Sequence, residues 1–263
     1  MDQRTNDSAA RTVDAVELAR FNVSLEAWWD DAAEARWLHK YNPLRVDYIR
    51  AAACSHWGRN ASSPDCLRDL RILDVGCGGG VLCEPLAALG CDIVGADPAA
   101  IAIDAARRHA RRNGARVDYR CTTAEWLAAV GETFDVVVAM EVVEHVADSR
   151  LFLESCAALV RPCGLFILST INRTIKSYAY AIIAAEQVLR LLPRGTHRWD
   201  RFITPEEVAQ AIKPSGFCTT DVHGVTMRLV TGHLRLSRDA QVNYIMTAAR
   251  RAGMRGSHRL SGR

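Results

Sequence analysis

From Arg71 onward, short apolar runs alternate with stretches of helical period, and this alternation limits the fold more than any other feature of the chain. Runs at Arg71–Val75, Asp92–Ala96, Val117–Cys121, Phe134–Met140 and Gly164–Thr170 read as strands. Helical patterns fill 81–89, 99–113, Ala124–Val130 and 148–160 between them, and Asn113-Gly114 supplies a stop signal for the second. Strands apolar on both faces and separated by helices make a parallel sheet covered on both sides. The fold class is therefore α/β, with a doubly wound, mostly parallel sheet and helices on both faces. A helix at 204–213 and strands within 216–249 are placed to complete the sheet. The domain runs over 67–249, and a helical insertion at 173–203 interrupts the alternation after the fifth strand.

Residues 1–66 read as a helical extension and linker. Phe21, Leu25, Trp28 and Trp29 form an apolar helix face, Pro43 is expected to break the helix, and a second begins through Val46 and Ile49. Residues 58–66, rich in Ser, Asn and Pro, form a loop, and 250–263, with arginines among Gly and Ser, reads as a disordered tail.

Thirty-three basic against thirty acidic residues leave a net charge of +3, which gives no electrostatic case for a nucleic-acid partner. The nine cysteines are odd in number, irregularly spaced and without a CxxC pair, so neither a disulfide framework nor a zinc knuckle is expected. Several (Cys77, Cys83, Cys91) lie in apolar runs, where Cys behaves as a small hydrophobe. Met1–Ser8 is polar, and no apolar run is long enough to span a bilayer. The expectation is a reducing, cytoplasmic location.

The first strand ends in Gly76-Cys77-Gly78-Gly79-Gly80, a turn that lets the backbone approach a ligand at the carboxyl edge of the sheet. Asp97 ends the second strand, twenty-one residues after Gly76, where a carboxylate accepts bonds from ribose hydroxyls. Gly76 and Gly78 fill the first and third positions of the dinucleotide fingerprint, but the sixth is Val81. Asp74 places an acid just before the turn, which repels a pyrophosphate and suits an ammonium. These features favour S-adenosylmethionine over a nicotinamide dinucleotide.

After the fourth strand comes Met140-Glu141-Val142-Val143-Glu144-His145. On a helical turn Glu141, Glu144 and His145 would share one face. They could hold a divalent ion that acidifies a phenol, with Mg²⁺ one choice. Alternatively His145 is a general base and Glu144 its orienting partner. Spacing leaves both open.

Over about residues 70–170 these motifs resemble the class I methyltransferases, in which the glycine turn holds the methionine part of the cofactor. The likeness implies that Thr123-Ala124-Glu125 lies near adenine and that Met140 lines the pocket. Asn42-Pro43-Leu44-Arg45, Ser169-Thr170-Ile171-Asn172-Arg173, Pro193-Arg194-Gly195-Thr196-His197 and Val242-Asn243-Tyr244 extend the likeness from Phe21 to Tyr244. In these stretches the chain is similar to the ubiquinone biosynthesis O-methyltransferase family. That similarity implies cofactor contacts at Arg45, Gly76, Asp97 and Met140, a polyprenylated phenol or catechol as substrate, and other enzymes of the same pathway as associates. It also implies a divalent ion, such as Mg²⁺, on Glu141, Glu144 and His145. For Arg45 there is an independent reason, since a guanidinium pairs bidentately with a carboxylate. A polyprenyl substrate also gives the apolar stretch 175–192, flanked by Arg173, Lys176, Arg190 and Arg194, a role as a peripheral contact with the inner face of the cytoplasmic membrane; the alternative is a lid packed over the active site. Cys163, where a second Gly is common, Pro98 directly after Asp97, and the residues beyond Ala249 depart from the family pattern. The alternatives are an O-methyltransferase for another small phenol or an RNA terminus, and a cofactor-binding protein without catalysis.

Overall fold

A computed structural model describes residues 12–14, 17, 33–178, 199–227 and 233–252. Among them, strands β1 (Arg71–Val75), β2 (Asp92–Asp97), β3 (Asp118–Cys121), β4 (Phe134–Met140), β5 (Val160–Ile171), β6 (Phe217–Met227), β7 (Leu234–Ser237) and β8 (Asn243–Arg250) form one sheet. Its order is β3-β2-β1-β4-β5-β8-β6-β7. The first five strands are parallel, with Leu73 opposite Val94 on one side and Val137 on the other. The last three are antiparallel, with Ser169 of β5 opposite Ile245 of β8.

Period-two alternation divides the central strands between two cores. Ile72, Val136, Val138 and Ile167 pack on one face beneath the N-terminal helix. Leu73, Val137, Phe166 and Met246 pack on the other, against Leu127, Phe152 and Leu153. The crossover helices are α2 (Cys83–Ala88), α3 (Ala100–Asn113), α4 (Ala124–Ala129) and α5 (Ser149–Leu159), with α6 (Pro205–Ile212) before β6. Their ends follow local chemistry. Thr123 caps α4 by accepting from the Trp126 N–H, Asp148 caps α5, and Gly114 ends α3 in the left-handed region at φ 68°. Thr204 and Glu207 close α6 with a capping box around Pro205.

The expected break at Pro43 is corrected. One helix, α1, runs from Ala33 to His56 with Pro43 inside it. Proline there removes one N–H and crowds the preceding turn, at about 3 kcal/mol. Burial of Tyr41, Tyr48, Ile49, Ala53 and Cys54 offsets this, at ~1.5–3 kcal/mol for each large side chain. Asn42 Nδ2 also donates to the Val81 carbonyl at 2.7 Å, fixing this turn of the helix to the loop beyond the glycines. Several boundaries also move: β2 extends to Asp97, β3 begins at Asp118 rather than Val117, β5 begins at Val160 rather than Gly164, and β8 runs through Arg250, a residue assigned to the tail. The apolar face Phe21–Trp29, most of 175–192, the stretch 193–197 and the tail beyond Ala252 lie outside the described residues.

All nine cysteines are unpaired, and Cys77, Cys83 and Cys91 are buried. Burial pushes the thiols of Cys77 and Cys91 up to about 11 and about 12, as befits packing groups. Among the described residues, no helix is long and apolar enough to cross a membrane.

Candidate active site

Sheet order reverses between β1 and β4, so the chain leaves these strands in opposite directions and opens a crevice at their carboxyl ends. The glycine turn forms one wall. Gly76, Gly78 and Gly80 have φ of 71°, 51° and 86°, and the Gly76 N–H donates to the Ala96 carbonyl at 2.7 Å. A Cβ on Gly76 would lie 2.6 Å from Val142 Cγ2, so a side chain here would strain the backbone and push the β4 loop.

Asp97 ties β2 to this turn. Its carboxylate accepts from the Gly78 N–H at 3.0 Å and the Ala99 N–H at 2.8 Å. Burial raises its pKa while the two amides oppose the rise. The Asp97 carboxylate therefore stands at the strand end beside the turn, where a ribose would be met. Asp74 behaves differently from the sequence reading. It is 2% exposed beneath the turn, accepts from Cys83 Sγ at 3.2 Å, and burial pushes it up to about 7. It is a packed, partly neutral carboxyl rather than a charge presented to the ligand, so it contributes little to the choice between cofactors.

Arg45 of α1 is 4% exposed and stacks 5.0 Å from the Tyr41 ring centre. Its Nη2 donates to Asn42 Oδ1 at 3.3 Å, but Nε is buried without a partner. Burial lowers its pKa, against the attraction of Tyr41, Glu141 and Asp74. Glu125 Oε2 and Asn172 Oδ1, both at this edge, are likewise buried without partners. Each such atom costs ~1–3 kcal/mol unless a ligand satisfies it, so the edge is built for a polar ligand. The turn, Asp97 and Arg45 together fit an amino-acid nucleoside such as S-adenosylmethionine.

The acid–His segment does not form the expected helical turn. Met140 is buried at the end of β4, and Glu141 then adopts φ 56°, with its N–H bonded to the Ser169 carbonyl at 2.9 Å. Ser169 Oγ donates to Glu141 Oε1 at 2.6 Å. Glu144 is buried beside Glu141, and burial, reinforced by that neighbouring carboxylate, raises it well above the usual range. His145 turns elsewhere: its Nδ1 lies 3.1 Å from Glu17 Oε2. The structure thus joins Glu141 and Glu144 but does not bring His145 into a triad with them. The left-handed residue at 141 replaces the helical spacing that would have aligned them. Among the described residues, no three His, Cys, Asp or Glu side chains stand where they could hold a metal ion.

Sequence reasoning missed Tyr41, Ser169, Glu17 and Arg201. Ser169 fell in a stretch noted only for its family likeness, and Glu17 pairs with His145 across 128 positions, which no local pattern reveals.

A methyltransferase-domain family model matches residues 46–222. The chain is 51% identical over 241 residues to a ubiquinone biosynthesis O-methyltransferase of Methylobacterium sp. (strain 4-46), covering 92% of this chain and 97% of the relative. It is 48% identical to the enzyme of the same name from Parvibaculum lavamentivorans, covering 95% and 99%. Among solved structures, magnesium protoporphyrin IX methyltransferase from Synechocystis PCC 6803 with bound SAH superposes with a TM-score of 0.58 at 18% identity, over 88% of this chain and 99% of that one. A SAM-dependent methyltransferase from Thermotoga maritima gives 0.58 at 16%, over 90% and 99%. The fold is that of the class I methyltransferases, and the chain belongs to the ubiquinone biosynthesis O-methyltransferase family.

Proposed function

We propose that this protein is an S-adenosylmethionine-dependent O-methyltransferase of ubiquinone biosynthesis, acting on a hydroxyl of a polyprenylated phenol or catechol. The observation that carries the cofactor half is the partnerless buried Nε of Arg45 on the same edge as the glycine turn and Asp97. The substrate half rests on the relatives, which are ubiquinone biosynthesis O-methyltransferases.

When bound, the cofactor supplies a methyl group on a sulfonium. The backbone at Gly76 and Gly78 lets it approach, Asp97 accepts from the ribose hydroxyls, Arg45 pairs with the carboxylate, and Met140 lines the pocket. His145 serves as the base that takes the phenolic proton. Its orienting partner is Glu17 rather than Glu144, because Glu17 lies against Nδ1. Glu144 acts as a buried carboxyl, its pKa raised by burial and by Glu141, that positions Glu141. The role of the protein is alignment and deprotonation.

Glu141, Glu144 and His145 do not fit a divalent ion as arranged, so no step is assigned to Mg²⁺. Exhaustive chelation tests this. Unchanged activity agrees with a metal-free base, whereas loss restored by Mg²⁺ would mean that the segment rearranges to bind the ion.

Ile175 is 87% exposed, and Tyr178 and Trp199, also exposed, stack edge to face at 6.4 Å beyond the end of β5. This apolar surface would receive the polyprenyl chain and bring the protein to the cytoplasmic face of a membrane. The central experiment incubates the purified protein with labelled S-adenosylmethionine and a short-chain prenyl catechol. A methoxy product is expected, and absence of transfer would overturn the reading.

A further inference from the structure

Two residues of the N-terminal segment, Asp14 and Glu17, link two groups at the acceptor side of the crevice. Asp14 Oδ1 accepts from the Glu17 N–H at 3.3 Å. The carbonyl of Thr12 accepts from the Ala147 N–H at 2.8 Å, which lays the segment across the loop after β4. Asp14 Oδ2 accepts from Arg201 Nη2 at 2.6 Å, and Glu17 Oε2 meets His145 Nδ1 at 3.1 Å. Asp14 and Glu17, joined by that bond, thus tie Arg201 and His145 to the same short segment. His145 follows the end of β4, and Arg201 shares a short turn with Trp199, whose Nε1 donates to the Thr174 carbonyl beyond the end of β5 at 3.3 Å.

The Arg201 guanidinium is only half used. Nη2 is spent on Asp14, while Nη1 is buried and has no hydrogen-bond partner among the described residues. A buried N–H in that state is stabilised by an incoming oxygen. Its charge is already balanced by Asp14, which disfavours a phosphate or sulfate dianion and suits a neutral or singly charged oxygen. A hydroxyl or phenolate on an aromatic ring meets that requirement.

We propose that Arg201 is a substrate-binding residue whose Nη1 donates to the ring oxygen adjacent to the hydroxyl that His145 deprotonates. The protein then recognises the paired oxygens of a catechol, and Arg201 sets its preference for a catechol over a phenol with one hydroxyl. This rests on the phenol-methylation reading above, and it adds the residue that selects the acceptor.

The test compares kcat/KM for a short-chain prenyl catechol and the matching prenyl monophenol in the wild type, R201M and D14N. Losing one donor to a ring oxygen should lower kcat/KM for the catechol by about 10- to 100-fold in R201M. The monophenol should be little affected and KM for S-adenosylmethionine unchanged, so the preference disappears. D14N removes the carboxylate but keeps Nη1 and should retain the preference. Equal losses for both substrates in R201M and D14N would reduce Arg201 to a structural tie and overturn the proposal, as would unaltered catechol kinetics in R201M. Catechol binding by calorimetry in the presence of S-adenosylhomocysteine separates the two levels. Binding weakened by R201M, without methyl transfer in any variant, would uphold Arg201 as a catechol-binding residue while refuting the methylation reading.

Discussion

Replacing Asp74 with Asn should make the protein more stable relative to the wild type as pH rises. Asp74 sits in β1 between Leu73 and Val75 with a Cys83 thiol as its bonded neighbour, and burial pushes it up to about 7. The attraction of Arg45 and the Cys83 bond oppose that rise without cancelling it. In the unfolded chain the group ionises near the ordinary 3.8. Between these two values the folded protein holds a proton that the unfolded chain has released. Stability from this group is therefore fully present below about 4, falls as pH rises towards 7, and levels off above. The whole interval corresponds to roughly 4 kcal/mol, and the part between pH 5 and pH 8 to about 3 kcal/mol. Asparagine resembles the neutral carboxyl in shape and does not titrate. Urea unfolding of both proteins across this range should show the difference in favour of D74N growing by about that amount. A difference that stays constant from pH 5 to pH 8 would mean that Asp74 is ionised in the fold throughout, and the burial argument would fail.

The sheet was legible because its signal is local. Arg71–Val75 and Phe134–Met140 are strands with the boundaries read from their largely apolar runs, as expected of segments buried on both faces. Glycines at 76 and 78 were equally readable, since only a special backbone conformation calls for so many. Pro43 misled because the rule for proline concerns an isolated helix, whereas α1 is held by side chains meeting a sheet far along the chain. Asp74 misled in a similar way: its charge state is set by what encloses it, and enclosure is a property of the fold. In the acid–His segment, the residue types were informative but the helical spacing was not, because Glu141 takes a left-handed φ that nothing in its identity requires. Pairings that assemble the acceptor side, Glu17 with His145 and Asp14 with Arg201, join the N-terminus to the middle and later parts of the chain and have no sequence signature.

Three further outcomes follow from the geometry. Arg45→Met should raise KM for S-adenosylmethionine by about 10- to 100-fold with a smaller effect on kcat, because it removes a charge-assisted bond made in ground and transition states alike; an unchanged KM in initial-rate assays would remove Arg45 from the cofactor site. Gly76→Ala should lose about 2–4 kcal/mol in urea unfolding, from ~1–2 kcal/mol for an L residue in the left-handed region and the rest from the contact with Val142 at 2.6 Å; a loss below about 1 kcal/mol would show that the turn relaxes without strain. The last concerns the tie between α1 and the antiparallel end of the sheet, where the Tyr48 hydroxyl lies 2.9 Å from both Asp221 Oδ2 and Thr247 Oγ1. Tyr48→Phe leaves the buried Thr247 hydroxyl without that partner and should lower stability by about 1–3 kcal/mol, read as a fall in Tm; because Arg45 is carried by the same helix, KM for S-adenosylmethionine should rise with it, and a lowered Tm at unchanged KM would show that α1 holds Arg45 in place without this anchor.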